Sequence, residues 1–152
     1  MKKGEGYDLE TTQTFEVVQF KFTSVGSKGY INKIIEFSYL GQNSWNLGFG
    51  DIKGDDWEDN VISNNTDFRK VLQTITNAIH HFFELYPDHQ IQIVPLDYQR
   101  KLLYNRVFQQ RWHEIKPLFG VIAAITEDKK IELEEYSSTK KIFDAFVVSR
   151  KK

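Results

Sequence analysis

The segment from Phe68 to Phe83 constrains the fold most. Phe68, Val71, Leu72, Ile75, Ala78, Ile79, Phe82 and Phe83 recur at three- and four-residue steps. Over roughly five turns this is the repeat of an α-helix with one apolar face. Such a face has to be covered by a second layer: the larger side chains gain roughly 1.5–3 kcal/mol each on leaving water, against about 1–2 kcal/mol for each backbone residue ordered. Asn65 or Thr66 stands where an N-cap is needed, and Asp67 falls in the first turn with the sign that suits the helix dipole. Pro87 ends the run.

The residues before the helix supply that layer. Val18, Phe20 and Phe22 alternate with Gln19 and Lys21, the period of a half-buried strand. A turn follows at Ser24–Gly29, where Gly26 and Gly29 can take positive φ. The next run places Ile31, Lys33, Ile35, Phe37 and Tyr39 on one face and Asn32, Ile34, Glu36 and Ser38 on the other. A turn at Gly41-Gln42-Asn43 then leads to a third strand from Trp45 to Phe49. Beyond the helix, Gln90–Val94 is a short strand ended by Pro95, and Asp97 caps a second helix running to about Lys116. Closing strands are expected at Phe119–Thr126, Lys130–Tyr136 and Ile142–Ser149. The order βββ-α-β-α-ββ(β) predicts an α+β fold: an antiparallel sheet of about six strands with two main helices on one face, forming a single domain over residues 1–152.

Charge and composition narrow the function classes. A net charge of −1 gives no overall field to attract nucleic acid or an anionic membrane, which argues against both partners. With no cysteine, disulfides, thiolate catalysis and Cys-based zinc sites are excluded. The charged start Met1-Lys2-Lys3-Gly4-Glu5-Gly6 leads into no apolar segment, and Phe119–Ile125 is too short to span a bilayer. A cytoplasmic location is the expectation.

No local motif names a reaction. Asp51, Asp55, Asp56, Glu58 and Asp59 surround a single Lys53, but the spacing does not match an EF-hand, and the stretch reads as a solvated acidic loop with no metal assigned. His80 and His81 are adjacent and diverge by about 100° on a helix, so they cannot chelate one ion together. No Gly-x-Ser-x-Gly elbow is present, and Gly48-Phe49-Gly50-Asp51 lacks the lysine and helix start of a phosphate cradle. Arg100, Tyr104 and Arg106 on the second helix admit two readings. One is an anion or nucleotide site at the helix start; the other, which we favour, is an amphipathic helix with Tyr104 in the core and arginines reaching to water. The candidate site residues are Asn46, Asp51, Asn64, Asn65, Arg100 and Tyr104, gathered at the starts of the two helices.

Several segments in this order carry a family resemblance: Phe20-Lys21-Phe22-Thr23-Ser24 with Gly26 and Gly29, Asn46-Leu47-Gly48-Phe49-Gly50-Asp51, Asp55-Asp56, Ser63-Asn64-Asn65-Thr66-Asp67, Val71-Leu72-Gln73-Thr74, and Arg100 with Leu103-Tyr104. The chain resembles a family of small proteins of unknown function found mostly in Bacteroidetes. It departs at Val94-Pro95-Leu96, where that family often has a Gly-Ser-Thr-like turn. A second resemblance is to the acyl-CoA N-acyltransferases, through Leu102-Leu103-Tyr104-Asn105-Arg106-Val107-Phe108 and the order of elements from the second strand onward. That resemblance implies a general-acid role for Tyr104 toward a leaving thiolate. It fails at Ser63–Asp67, which has no glycine and whose Asp67 would repel a phosphate at the helix N-terminus.

Three functions follow as expectations, none with an assigned cofactor. The first is a non-catalytic binding or protein-interaction module, such as one half of a bacterial defence or toxin–antitoxin pair, with a homo-oligomer or protein partner. The second is an atypical or degenerate acyltransferase. The third is an RNA-acting component using Arg100, Arg106, Arg111 and the tail Arg150-Lys151-Lys152.

Overall fold

The computed structural model of the protein describes residues 5–58, 65–138 and 141–151. Among them the alternating runs form β1 (Glu10–Gln13), β2 (Val17–Gly26), β3 (Gly29–Gly41), β4 (Ser44–Lys53) and β5 (Asp56–Glu58). There follow α1 (Phe68–Leu85), β6 (Gln90–Ile93), α2 (Tyr98–Ile115), β7 (Phe119–Glu127), β8 (Lys130–Glu135) and β9 (Ala145–Arg150). All the strands belong to one sheet, ordered β1-β2-β3-β4-β6-β9-β7-β8, with β5 pairing β4 off that path. The α+β class stands, but the sheet is larger than about six strands and is not wholly antiparallel. β4 and β6 run parallel, in register at Ser44–Gln90, Trp45–Ile91 and Asn46–Gln92. The chain reverses between them through α1, and a parallel pair needs a crossover of that kind.

Two further departures have local causes. The stretch 51–58, expected as a solvated loop, is instead the end of β4, a turn and β5: Ile52 pairs with Trp57 and Lys53 with Asp56, around Gly54 at φ +63°. Its acidic residues hid the alternation. Gly26 was expected to supply a positive φ, but only Gly29 of that pair has one, at +84°. Gly26 instead supplies space. A Cβ there would lie 1.6 Å from the Asn65 carbonyl oxygen, which accepts from the Ser27 N–H at 3.2 Å.

Both helices lie on one face of the sheet. Trp45, Ile91 and Val148 are neighbours across β4, β6 and β9 and point the same way. α1 covers the β2–β4 half, with Phe82 stacked on Phe37 at 4.6 Å and edge-on to Trp45 at 5.4 Å. α2 covers the β7–β9 half, with Phe108 stacked on Phe146 at 4.1 Å. Asp97 caps α2 as the sequence predicts, accepting from the Arg100 N–H at 2.8 Å. At α1 the cap position is Asp67 rather than Asn65 or Thr66, and its side chain makes no capping hydrogen bond. Among the described residues no helix is long and apolar enough to cross a membrane.

The Phe37–Phe82–Trp45 contact should dominate stability. In urea unfolding, Phe82→Ala is expected to cost about 3–5 kcal/mol. Phe68→Ala, at a position 48% exposed, is expected to cost less than about 1 kcal/mol.

Candidate functional site

The apolar face of α1 is two stripes with different neighbours. Val71, Ala78, Phe82 and Phe83 are buried in the core. Leu72, Ile75 and Ile79, with Phe68 at the end and Val71 shared between the two, line a cleft of about 370 Å³ between α1 and α2. Leu103, Tyr104 and Val107 face them from α2, and Leu47, Phe49 and Ile93 form part of its floor. The floor residues explain why the cleft exists. β4 and β6 pair only as far as Asn46 and Gln92, and β5 takes up β4 again at Asp51. Between those points, Leu47–Gly50 have no strand partner on that side among the described residues. Helices seated on the two halves of the sheet therefore leave a gap between them.

The cleft is mostly apolar, with Lys33, Asn65 and Asp67 lining one end. Thr76, whose hydroxyl donates to Leu72 O, and the Tyr104 phenol add polar atoms along its walls. Lys33 lies on the inner face of β3, directly across from Asp51 on β4. Its Nζ contacts Asp51 Oδ1 at 2.6 Å, with both side chains 3% exposed, and lies 5.3 Å from the centre of the Phe49 ring. A buried ion pair of this kind is held by mutual attraction against a large cost of desolvation.

Beside it, the start of α1 is tied down by hydrogen bonds. Asp67 Oδ2 accepts from the Tyr7 hydroxyl at 2.6 Å and from the Ser24 hydroxyl. Burial, and then the hydrogen bond to Asp67, hold the Tyr7 phenol above its ordinary range. The Asn65 amide donates to Gly29 O at 2.9 Å and to Ser24 Oγ at 3.2 Å, and its oxygen accepts from the Lys28 N–H. The Asn65 side chain thus locks the β2–β3 turn to the start of the helix.

The residues singled out from sequence are dispersed. Asp51, Asn65 and Tyr104 come to this region, Tyr104 on the α2 wall and Asp51 through its contact with Lys33. Asn46 alternates with Trp45 and Leu47, so it faces the other side of the sheet. Arg100 does not line the cleft. It is 3% exposed and paired with Asp97 at 2.6 Å, so it neither offers an anion site nor reaches to water. Asn64 lies outside the described residues, as do Ser63 and Asp59. Lys33 was missed as a site residue, although a lysine on the apolar face of a strand was a usable signal.

Two histidines are held by ring and hydrogen-bond contacts. His89 Nδ1 accepts from the Trp45 indole N–H at 2.9 Å, and the His81 ring stacks on Phe20. Among the described residues no group of three or more His, Asp or Glu side chains could hold a metal ion. A larger groove of about 970 Å³ lies along α1 beside the Glu5–Leu9 segment. Glu5, Asp8, Arg69, Lys70 and Arg111 line it with charges of both signs, so it presents no single electrostatic preference.

The chain belongs to the family of unknown function DUF6934, which it matches over residues 3–151. No curated protein and no solved structure matches it.

The ion pair at the cleft end can be tested by a double-mutant cycle in urea. Lys33→Met alone is expected to cost about 3–5 kcal/mol, because it removes the cation paired with a buried carboxylate. Lys33→Met with Asp51→Leu is expected to recover most of that loss. Additive losses would contradict the coupling.

Proposed function

We propose that the chain is a binding module for a ligand with an elongated apolar chain, held in the cleft between α1 and α2. The carrying observation is the cleft itself, about 370 Å³ with mostly apolar walls and charged groups gathered at one end. Ligand sites have this character: mostly apolar walls and a few convergent polar groups that fix orientation. The acyl chain of an acyl thioester is the class that fits both the walls and the resemblance of the α2 segment to acyltransferases. Parallel strands that stop pairing also make a crevice of the kind where open α/β sheets bind ligands.

Acyl transfer is the second reading, favoured by the place of Tyr104 on the cleft wall. A phenol there is suitably located to protonate a thiolate leaving a bound thioester. Against a coenzyme pyrophosphate at the start of α1 stands Asp67, whose carboxylate already accepts from Tyr7 and Ser24. We therefore rank binding above transfer. The RNA-acting reading loses Arg100 to Asp97, and Arg111 contacts Glu114 at 3.3 Å.

Thermal unfolding with acyl-CoAs of increasing chain length, and with the matching free fatty acids, tests the proposal. The melting temperature should rise with chain length, since ligand at a hundred times its Kd adds about 2.7 kcal/mol. Val107→Trp, which fills the cleft, should remove the shift while leaving the circular dichroism spectrum unchanged. A flat response to every chain length, or an equal shift in the Trp variant, would sink it. If transfer occurs, thiol release in the presence of amine acceptors should fall by about 10²–10⁴ in Tyr104→Phe. Unchanged release in that variant would remove Tyr104 as the acid.

A further inference from the structure

β8 ends the sheet, and among the described residues only β7 pairs with it. All its residues are exposed, Ile131 at 69% and Leu133 at 66%. The opposite edge, β1, is shorter and carries only Glu10, Thr11, Thr12 and Gln13. Edges left open in natural proteins are usually short, strongly charged, bulged or covered, because an open strand is a template for another strand. β8 is itself charged at Lys130, Glu132, Glu134 and Glu135, but Ile131 and Leu133 stand exposed between those charges, so the edge suits only a strand whose charges complement its own.

The hydrogen bonding shows how that occupant must approach. Tyr136 N–H donates to Val121 O, so the residue just beyond β8 turns its amide toward β7. Main-chain direction alternates along a strand. Lys130, Glu132 and Glu134 therefore face β7 with their backbone groups, while Ile131, Leu133 and Glu135 turn theirs to the open side. The side chains of Ile131 and Leu133 sit opposite Thr126 and Ala124, on the sheet face away from the helices. Ile122, 45% exposed, lies on the same face.

We propose that the occupant is β8 of a second copy of this chain, antiparallel, with the two-fold axis passing through Glu132. In that register each Ile131 faces Leu133 of the other copy, with both backbones turned toward the partner. Each of these pairs exchanges two main-chain hydrogen bonds. Each Lys130 faces Glu134 of the other copy, joining Lys141, which contacts Glu134 Oε1 at 2.6 Å. The single like-charge contact is Glu132 with its own counterpart.

Other registers are worse. With the axis at Leu133, Glu132 meets Glu134 twice and Ile131 meets Glu135. With the axis between two residues, outward-turned amides meet inward-turned ones and the ladder does not form. Opposite charges and aliphatic pairs across strands stabilise, and like charges directly opposite destabilise. With the axis at Ile131, Lys130 meets Glu132 twice, but Leu133 falls opposite Lys129 in the turn. The axis at Glu132 alone pairs both aliphatic side chains with each other.

The absence of cysteine makes a clean test available. Ile131→Cys, Glu132→Cys, Leu133→Cys and Glu134→Cys are prepared singly in the full chain, oxidised mildly and run without reductant. The mass of the unmodified chain is measured by light scattering across a dilution series. We expect a dimer, with cross-linking highest for Glu132→Cys, because only that residue faces its own copy at the roughly 4.4–6.8 Å Cα separation a disulfide accepts. Glu132→Gln should tighten the dimer about two- to five-fold by removing the like-charge contact. Leu133→Lys should give a monomer with an unchanged circular dichroism spectrum. A monomer at every concentration would overturn the proposal. So would a dimer that cross-links at none of the four positions, or one whose maximum falls on a residue other than Glu132.

Discussion

Pairing between β4 and β6 covers only three residues on each strand, and the rest of the architecture follows from where it stops. Up to Asn46 and Gln92 the two halves of the sheet are continuous, and Trp45 joins them by packing against Phe82 above and pairing with Ile91 alongside. Beyond that point β4 continues to Lys53 without β6. Among the described residues Leu47 and Phe49 then have a strand neighbour on the β3 side only, and the helices above them rest on separate halves of the sheet. A continuous sheet would have let α1 and α2 close over a single core. The interruption leaves instead an apolar cleft with an ion pair at its end.

Much of this was legible in the sequence, for physical reasons that differ by element. β2 was readable because one face is buried against α1 and the other is not, so Phe20 and Phe22 alternate with Gln19, Lys21 and Thr23. β3 keeps that pattern at Ile35 and Phe37, except that Ile34 is buried on the other face. α1 and its stop at Pro87 were readable for the same reason at helical period. Asp97 was readable as a cap because its carboxylate does a local job, three residues from the N–H that it accepts. The parallel pairing of β4 with β6 was not readable. It depends on which strands meet across a long crossover, and β6 is too short to display a pattern of its own. The insertion of β9 between β6 and β7 is hidden likewise, since nothing local distinguishes a strand that closes an edge from one that enters the middle.

The site was less legible than the fold. Tyr104 lies on the cleft wall and Asp51 contacts Lys33 at its end, whereas Arg100, expected to face a ligand or water, is buried against its own capping aspartate. Asn65 was expected to cap α1, and its amide instead secures the β2–β3 turn at Gly29 and Lys28. Both readings placed a polar side chain by its position along one element, whereas its partner was chosen by geometry between elements. The apolar stripe of α1 carries the same lesson. Ile75 and Ile79 have the spacing of core residues, and only the missing strand contact beneath them turns them into cleft walls.

The central claim is that the gap between the helices, and not the charged groove on the other side of α1, receives a ligand. Amide hydrogen exchange with and without a long-chain acyl-CoA tests it most directly. The account predicts slower exchange in Leu103–Phe108 of α2 together with Leu72–Ile79 of α1, and no change in the Glu5–Leu9 segment. Protection confined to Glu5–Leu9 and the first turn of α1, with Leu103–Phe108 unaffected, would contradict it.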